Sequence, residues 1–366
     1  MEWFELKDIS NIDSPALLVY PSRMKSNIAT AISMVGDPDR LRPHIKTHKS
    51  LEAAQMMLDA GITKFKCATI AEAELLGMLD APDVLLAYQP VGPKVDRLFS
   101  LIERYPLTQY SCLVDHPDAV LAISNIASKT NSTVNVYLDI DVGMHRTGIL
   151  PESAYSLFEL CNQNPGISVK GLHAYDGHIR DSDLELRKQH ADEAILPVYK
   201  LLEHMQGHSH LTYDLICGGS PTFPIHAGRS FVVCSPGTFI YWDQGYGELY
   251  EGKTFQPAAV LITRVISVGA NHICTDLGHK SVASENDINH RIYFLNAKDL
   301  KPIGQSEEHL VLHHAAPNEF HIGDVLYGIP HHICPTVALY ERVYSVEDNG
   351  LAGEWFNIAR DRKINI

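Results

Sequence analysis

The stretch KFKCATIAEAELLGMLDAPDVLLAY, residues 64–88, decides the fold class. It opens with a strand-like run at 64–69, passes through a helical pattern at 70–79 and returns to an apolar run at 84–88. A strand, a helix and a second strand in close succession is the pattern of parallel strands joined by a crossover helix. The same alternation extends from residue 15 to about residue 240, with further strand-like runs at 15–20, 41–46, 109–114, 134–140, 169–175, 214–218 and 232–238. Helical patterns lie between them, such as 50–60, with Ser50 as cap and Gly61 as stop. If the first run belongs elsewhere, eight remain. Eight βα units close a barrel whose chemistry sits at the C-terminal ends of its strands, so an α/β fold of the (β/α)8 TIM-barrel type is expected. From about residue 255 the runs at 258–268, 272–276, 309–314, 324–327 and 337–346 follow without a long helix between them, which predicts a β-rich C-terminal domain. No repeat or Pro- or Ser-rich linker separates the two parts, so they are expected to pack closely.

A chain of 366 residues, 45% hydrophobic and 20% charged, can bury a large core. Its formal charge of −14 lacks the clustered Lys/Arg excess that a nucleic-acid or anionic-membrane surface needs, so the expected partner is a small molecule. The start, Met1-Glu2-Trp3-Phe4-Glu5-Leu6-Lys7-Asp8, has neither the basic nor the apolar segment of a signal peptide, and no later run has the length of a membrane span. A cytoplasmic location is expected. Seven cysteines without framework spacing fit reduced thiols. Six of them read as small buried apolar residues, and Cys334 is set apart.

The segment Arg42-Pro43-His44-Ile45-Lys46-Thr47-His48-Lys49 places basic side chains and two imidazoles at the end of a predicted barrel strand. It could be a solvated basic loop. At a barrel mouth, however, a desolvated lysine beside other cations becomes a usable nucleophile. Here the chain resembles the fold-type III pyridoxal-phosphate enzymes, in the branch of D-threonine aldolase and the zinc-dependent D-serine dehydratase. In that branch an Arg-Pro-His-x-Lys-x-His-Lys segment supplies the Schiff-base lysine, which the resemblance carries to Lys46, with His44 beside the cofactor. The resemblance covers nearly the whole chain. It implies an alanine-racemase-like barrel over 14–245 and a dehydratase-like β domain formed by 1–13 and 246–366, and it assigns the run at 15–20 to the entry from the β domain.

Further motifs fall where such a site needs them. Asp139-Ile140-Asp141-Val142-Gly143-Met144-His145-Arg146-Thr147-Gly148 follows an apolar strand; Asp, Gly and Arg also make ordinary structural loops. The resembled family has Asp-x-Gly-x-x-Arg-x-Gly here, with its Arg near the pyridine nitrogen, which implies Arg146. A cation there would disfavour protonating that nitrogen and limit the ring as an electron sink. His173-Ala174-Tyr175-Asp176-Gly177-His178 closes another strand, and strand-end position with the resemblance puts Tyr175 beside the cofactor and makes His178 a candidate acid or base. Cys217-Gly218-Gly219-Ser220-Pro221-Thr222 offers small residues and backbone N–H groups for a phosphate. By resemblance Gly218, Gly219, Ser220 and Thr222 hold the cofactor phosphate, with Gly237 and Thr238 as further contacts. His332-Ile333-Cys334 lies in the β domain, where i,i+2 spacing on an extended chain would put both side chains on one face. Imidazole and thiolate suit zinc; a structural Cys beside His331 and His332 is the alternative. The resemblance makes His332 and Cys334 the metal pair, with zinc first and manganese second.

A Schiff-base lysine with a metal pair implies a substrate carrying both an amine and a hydroxyl, such as a small D-3-hydroxy amino acid. Two lyase reactions meet this: β-elimination, in which Lys46 takes the α-proton and the metal draws off the hydroxyl, and retro-aldol cleavage of the Cα–Cβ bond. Cys334 inclines the reading to a D-serine or D-threo-3-hydroxyaspartate dehydratase, with D-threonine aldolase as the alternative. An amino-acid racemase would have no use for the metal pair, and a non-catalytic cofactor-binding protein would have no use for the β domain. The resemblance also implies a homodimer, each active site combining one subunit's barrel with its partner's β domain.

Overall fold

Residues 41–44 close a ring of parallel strands, and the rest of the barrel is arranged around that closure. In the computed structural model, residues 1–207, 210–250, 254–314 and 320–366 are described. The chain divides into two compact units. The barrel unit comprises Ala31–Lys46, Ala54–Gly237 and Asp361–Ile366, and the β unit comprises Met1–Thr30, Thr47–Ala53 and Thr238–Arg360.

Numbering strands along the chain, β1 (Ala16–Val19) belongs to the β unit. In the barrel unit β2 (Lys64–Cys67), β3 (Asp83–Leu86), β4 (Gln109–Val114), β5 (Val134–Ile140), β6 (Ile167–Ala174), β7 (Asp214–Cys217) and β8 (Val232–Cys234) lie side by side in that order. All pair in parallel, with registers such as Leu85↔Ser111 and Leu138↔Leu172. The turns between them are set locally. Thr69 accepts the Glu72 N–H at 3.1 Å while Glu72 Oε2 accepts the Ala68 N–H at 2.6 Å, which starts the helix Ile70–Met78. Helix Pro117–Thr130 has proline in its first turn and stops on Asn131 in the left-handed region.

The run at 41–46, expected as a full strand, is not one. It makes two isolated parallel bridges, Leu41↔Cys234 and His44↔Lys66. Arg42 N–H donates to Cys234 O at 2.8 Å, His44 N–H to Pro236 O at 2.9 Å, and Lys66 N–H to Pro43 O at 2.9 Å. Pro43 has no N–H to add to a ladder, and the chain then winds into a 3-10 turn at Ile45–Thr47.

Inside the ring Leu85, Leu113, Tyr137, Ile216 and Val233 pack together. Below them Arg42, fully buried, makes a bidentate pair with Asp83 at 2.6 and 2.7 Å. Tyr137 Oη donates to Asp214 Oδ2 at 3.0 Å. Asp83 and Asp214 begin β3 and β7, so this polar plug fills the end opposite the one where chemistry is expected. Where β6 meets β7, a Cβ on Gly171 would lie 2.0 Å from Asp214 O, so only glycine allows that approach.

The β unit contains β1 and then β9 (Ala259–Val268), β10 (His272–Thr275), β11 (Ile292–Phe294), β12 (Lys301–Gln305), β13 (Leu310–His313), β14 (Val325–Pro330), β15 (Arg342–Glu347) and β16 (Gly350–Phe356). Its sheet runs β12-β13-β10-β9-β1-β15-β16, with β14 paired to β9 and β11. Strand β1 pairs antiparallel with β9 (Leu18↔Val260) and parallel with β15 (Leu18↔Tyr344), so the run at 15–20 lies in this sheet. Phe4, Leu6, Leu18, Val260, Ile262 and Tyr327 form its core.

The run at 337–346, expected as one strand, is divided between the helix Ile333–Ala338 and β15. Asp243 Oδ2 accepts the Ile333 N–H at 3.0 Å, anchoring the helix start. Five of the six cysteines expected to be buried are so; Cys274 is half-buried. Among the described residues no helix is long and apolar enough to cross a membrane.

Replacing Asp83 by alanine leaves Arg42 charged, buried and without its bidentate partner. The expected cost is about 3–5 kcal/mol in urea unfolding of the barrel; a loss below about 1 kcal/mol would show that Arg42 finds other compensation.

Candidate active site

In the barrel unit Lys46 sits half-buried in the turn Ile45–Thr47, and its backbone N–H donates to His44 Nδ1 at 3.3 Å. A second lysine, which sequence reading passed over, lies deeper. Lys66 alternates inward on β2 and is only 3% exposed. Its Nζ lies 3.4 Å from His173 Nε2, and His173 Nδ1 lies 2.7 Å from Asp139 Oδ1. Since the carboxylate takes the Nδ1 proton, Nε2 is left to accept from Lys66. Asp139 Oδ2 also accepts from Thr147 Oγ1 at 2.9 Å. Burial lowers the Lys66 pKa, aided by the charges of Lys46 and Arg42 and opposed by Asp139 and Asp176, to about 7. Burial likewise lowers His173 against the pull of Asp139.

Tyr175 follows β6 and its ring faces two cations, the Arg146 guanidinium 5.1 Å and Lys66 Nζ 5.5 Å from the ring centre. The opposing loop is shaped to let that ring in: a Cβ on Gly219 would stand 2.7 Å from Tyr175 Cε2, and Gly218 takes a positive φ of 77°. Ser220 Oγ and Gly237 N–H are 3.5 Å apart, linking the loops after β7 and β8. Thr222 is fully buried, and its hydroxyl donates to Asp176 Oδ1 at 2.8 Å. Asp176 Oδ2 lies 2.7 Å from His226 Nε2, and Arg229 donates to His226 Nδ1 at 2.7 Å, so His226 carries its proton toward Asp176. Burial would raise Asp176, but the bonds from His226 and Thr222 hold it below its ordinary value. The Thr222 side chain thus braces the loop from behind, a placement its motif alone did not foretell.

His178 is exposed and lines a groove of about 600 Å³ with Val142, Asp181 and His190, whereas Tyr175 lines a small cleft with Asp139, Arg146 and Thr147. The structure does not gather these two candidates.

Thr238, His332 and Cys334 belong to the β unit. Cys334 Sγ lies 3.2 Å from Thr47 Oγ1 and 3.8 Å from Thr238 Oγ1, both of that unit. The extended geometry expected for 332–334 does not occur: His332 precedes the helix Ile333–Ala338 and Cys334 is in its first turn. The two side chains still hydrogen-bond, and although burial lowers the His332 pKa, that bond to Cys334 and then the one to Glu285 outweigh it and raise it to about 9. Glu285 Oε1 stands 2.5 Å from His332 Nδ1. His331 is engaged through its backbone, accepting from Gly245 N–H at 3.0 Å. Residues 306–309, whose role the sequence left open, turn between β12 and β13, with Lys280 2.5 Å from Glu307. Among the described residues no group of three or more His, Cys, Asp or Glu forms a metal cluster.

The chain matches the family described as alanine racemase, N-terminal domain, over residues 19–244, and the putative serine dehydratase domain over 258–346. A 3-hydroxy-D-aspartate aldolase of Paracoccus denitrificans (strain Pd 1222) is 26% identical, covering 97% of this chain and 94% of the relative. A D-threonine aldolase of an Arthrobacter species is 25% identical over 96% and 94%. The solved D-threonine aldolase from Filomicrobium marinum superposes with a TM-score of 0.88 at 21% identity, covering 96% of both chains. The chain thus belongs to the alanine racemase N-terminal domain family, in the branch that also carries the putative serine dehydratase domain and includes the D-threonine aldolases.

Proposed function

We propose that this protein is a pyridoxal-phosphate-dependent lyase that removes the β-hydroxyl of a small D-3-hydroxy amino acid, D-serine or D-threo-3-hydroxyaspartate, with the help of a divalent metal. The observation that carries the cofactor reading is the meeting of Arg146, Lys66 and Tyr175 at one end of the barrel, with the Tyr175 ring packed close against Gly219 of the loop after β7. Lys46 would hold pyridoxal phosphate through its amine, and the loop 218–222 with Gly237 would receive the phosphate. The bound ring would withdraw electrons from the substrate's α-carbon. Lys46 Nζ would take the α-proton, Tyr175 would pack on the ring, and Asp176 with His226 would keep the phosphate loop in place through Thr222.

The donor set of His332 and Cys334, nitrogen and sulfur, suits zinc, with manganese second. Glu285 on Nδ1 fixes the imidazole orientation in the way carboxylates orient metal-binding histidines. Held there, the metal would polarise the substrate's hydroxyl as a Lewis acid. Cleavage of Cα–Cβ to glycine and an aldehyde is the second reading, favoured by the two relatives whose names are those of aldolases.

The products decide between them. Incubation with D-serine and D-threo-3-hydroxyaspartate is expected to yield ammonia with pyruvate or oxaloacetate; glycine with an aldehyde from D-threonine or D-threo-3-hydroxyaspartate, without ammonia, would establish the second reading instead.

Cys334→Ala is expected to slow turnover by about a hundredfold or more, with the absorption of the bound cofactor unchanged. Chelation of the wild type should reproduce the loss, and zinc should restore the wild type but not the variant. Wild-type turnover that ignores chelators would make Cys334 an ordinary thiol and return the racemase reading.

A further inference from the structure

The brace behind the loop 218–222 does not end at Asp176. Thr222 stands at the start of the short helix Phe223–Ala227, where a threonine ordinarily turns its hydroxyl onto the helix's own first N–H groups. Here it makes no such cap bond and donates to Asp176 instead. His226, one turn further on, meets the other oxygen of that carboxylate. The backbone ties the same residues to the loop: Thr222 N–H and Phe223 N–H close on Gly219 O at 3.2 and 2.9 Å, and His226 N–H closes on Thr222 O at 3.1 Å. Whatever fixes the His226 ring therefore fixes the end of the loop.

Nδ1 of that ring has two neighbours, Arg229 Nη1 at 2.7 Å and Cys217 Sγ at 3.3 Å. A guanidinium can only donate, so Nδ1 must accept and the imidazole proton must sit on Nε2, facing Asp176. Burial pushes the Cys217 thiol well above its ordinary value, so it stays a weak S–H donor and is no substitute for the guanidinium. Arg229 is itself held on several sides. Its N–H closes a turn on His226 O at 3.0 Å, Arg40 donates to its carbonyl at 2.5 Å, and its Nη2 pairs with Asp192 of the helix Leu184–Gly207. A connected set of charge-assisted bonds thus runs from that helix through Arg229, His226 and Asp176 to Thr222.

The geometry points to Arg229 as a positioning residue for the cofactor's phosphate group: anchored by Asp192, it holds His226 in the Nε2–H form and so keeps the loop 218–222 in shape to receive the phosphate. The inference rests on the proposed phosphate role of that loop and deepens it, because it makes an ion pair to the helix Leu184–Gly207 part of what favours a phosphorylated ligand.

The test compares pyridoxal phosphate with pyridoxal, which carries the same aldehyde and no phosphate, by equilibrium dialysis against the cofactor-free protein. Arg229→Met is expected to weaken pyridoxal phosphate about tenfold and to leave pyridoxal unchanged. Arg229→Lys, which keeps a donor, should recover part of the affinity. Asp192→Asn, at a half-exposed carboxylate that tolerates change, should show a smaller loss of the same kind even if Arg229→Met folds poorly. Equal losses for both ligands in Arg229→Met and Asp192→Asn, or no loss for either ligand, overturn the inference. A second arm is independent of function. Nitrogen-15 NMR of the wild type should find the His226 proton on Nε2, with the Nδ1 resonance moving in Arg229→Met; a proton on Nδ1, or an unmoved resonance, also overturns it. If the NMR arm holds but the wild type binds pyridoxal phosphate no better than pyridoxal, the functional reading of the loop has failed, and the role of Arg229 in it falls with it.

Discussion

Closure of the barrel by a segment that cannot form a continuous ladder is the constraint on which the barrel unit depends. Pro43 limits residues 41–44 to a bridge on each side, yet three backbone bonds of 2.8 to 2.9 Å suffice to join first and last strands. That short segment performs three tasks along its length. Arg42 turns inward to fill the floor with Asp83, His44 locks onto β2 beside Lys66, and the 3-10 turn that follows delivers Lys46 to the mouth. A regular strand would have continued the pleat at 45–46; the turn gives the lysine its place.

The mouth holds more basic than acidic groups, and its order comes from pairing them through buried hydrogen bonds rather than through exposed ion pairs. Asp139 is shared by His173 and Thr147, and Asp176 by His226 and Thr222. Each carboxylate is thereby kept ionised against burial, and each orients an imidazole to a defined tautomer. One imidazole meets Lys66; the other, with Thr222, supports the loop after β7. A buried polar network of this kind is stable only when its members are satisfied.

Much of this arrangement was legible in the sequence, for a physical reason. Parallel strands buried on both faces read as apolar runs, so β2 to β8 all fall on apolar runs of the sequence, and the strand-end motifs at 139–148, 173–178 and 217–222 follow from that placement. What failed was what depends on distant partners. The helix Ile333–Ala338 has no decisive period in so short an apolar run, and its start is fixed by Asp243, ninety positions away in sequence. Lys66 was overlooked because a lysine in a run counts as a polar interruption; the alternation Lys64-Phe65-Lys66-Cys67 on a strand whose inner face is enclosed was the available signal. Asp176, which accepts from the Thr222 hydroxyl, is likewise brought to that residue only by the fold.

Central to the account is one amine among two that share the barrel mouth. Reconstitution with pyridoxal phosphate, reduction by borohydride and peptide mass spectrometry tests it most directly. The account predicts a yellow protein whose reduced pyridoxyl group is found on Lys46 and not on Lys66. An adduct on Lys66, or none on either lysine in a protein that binds the cofactor, would contradict it.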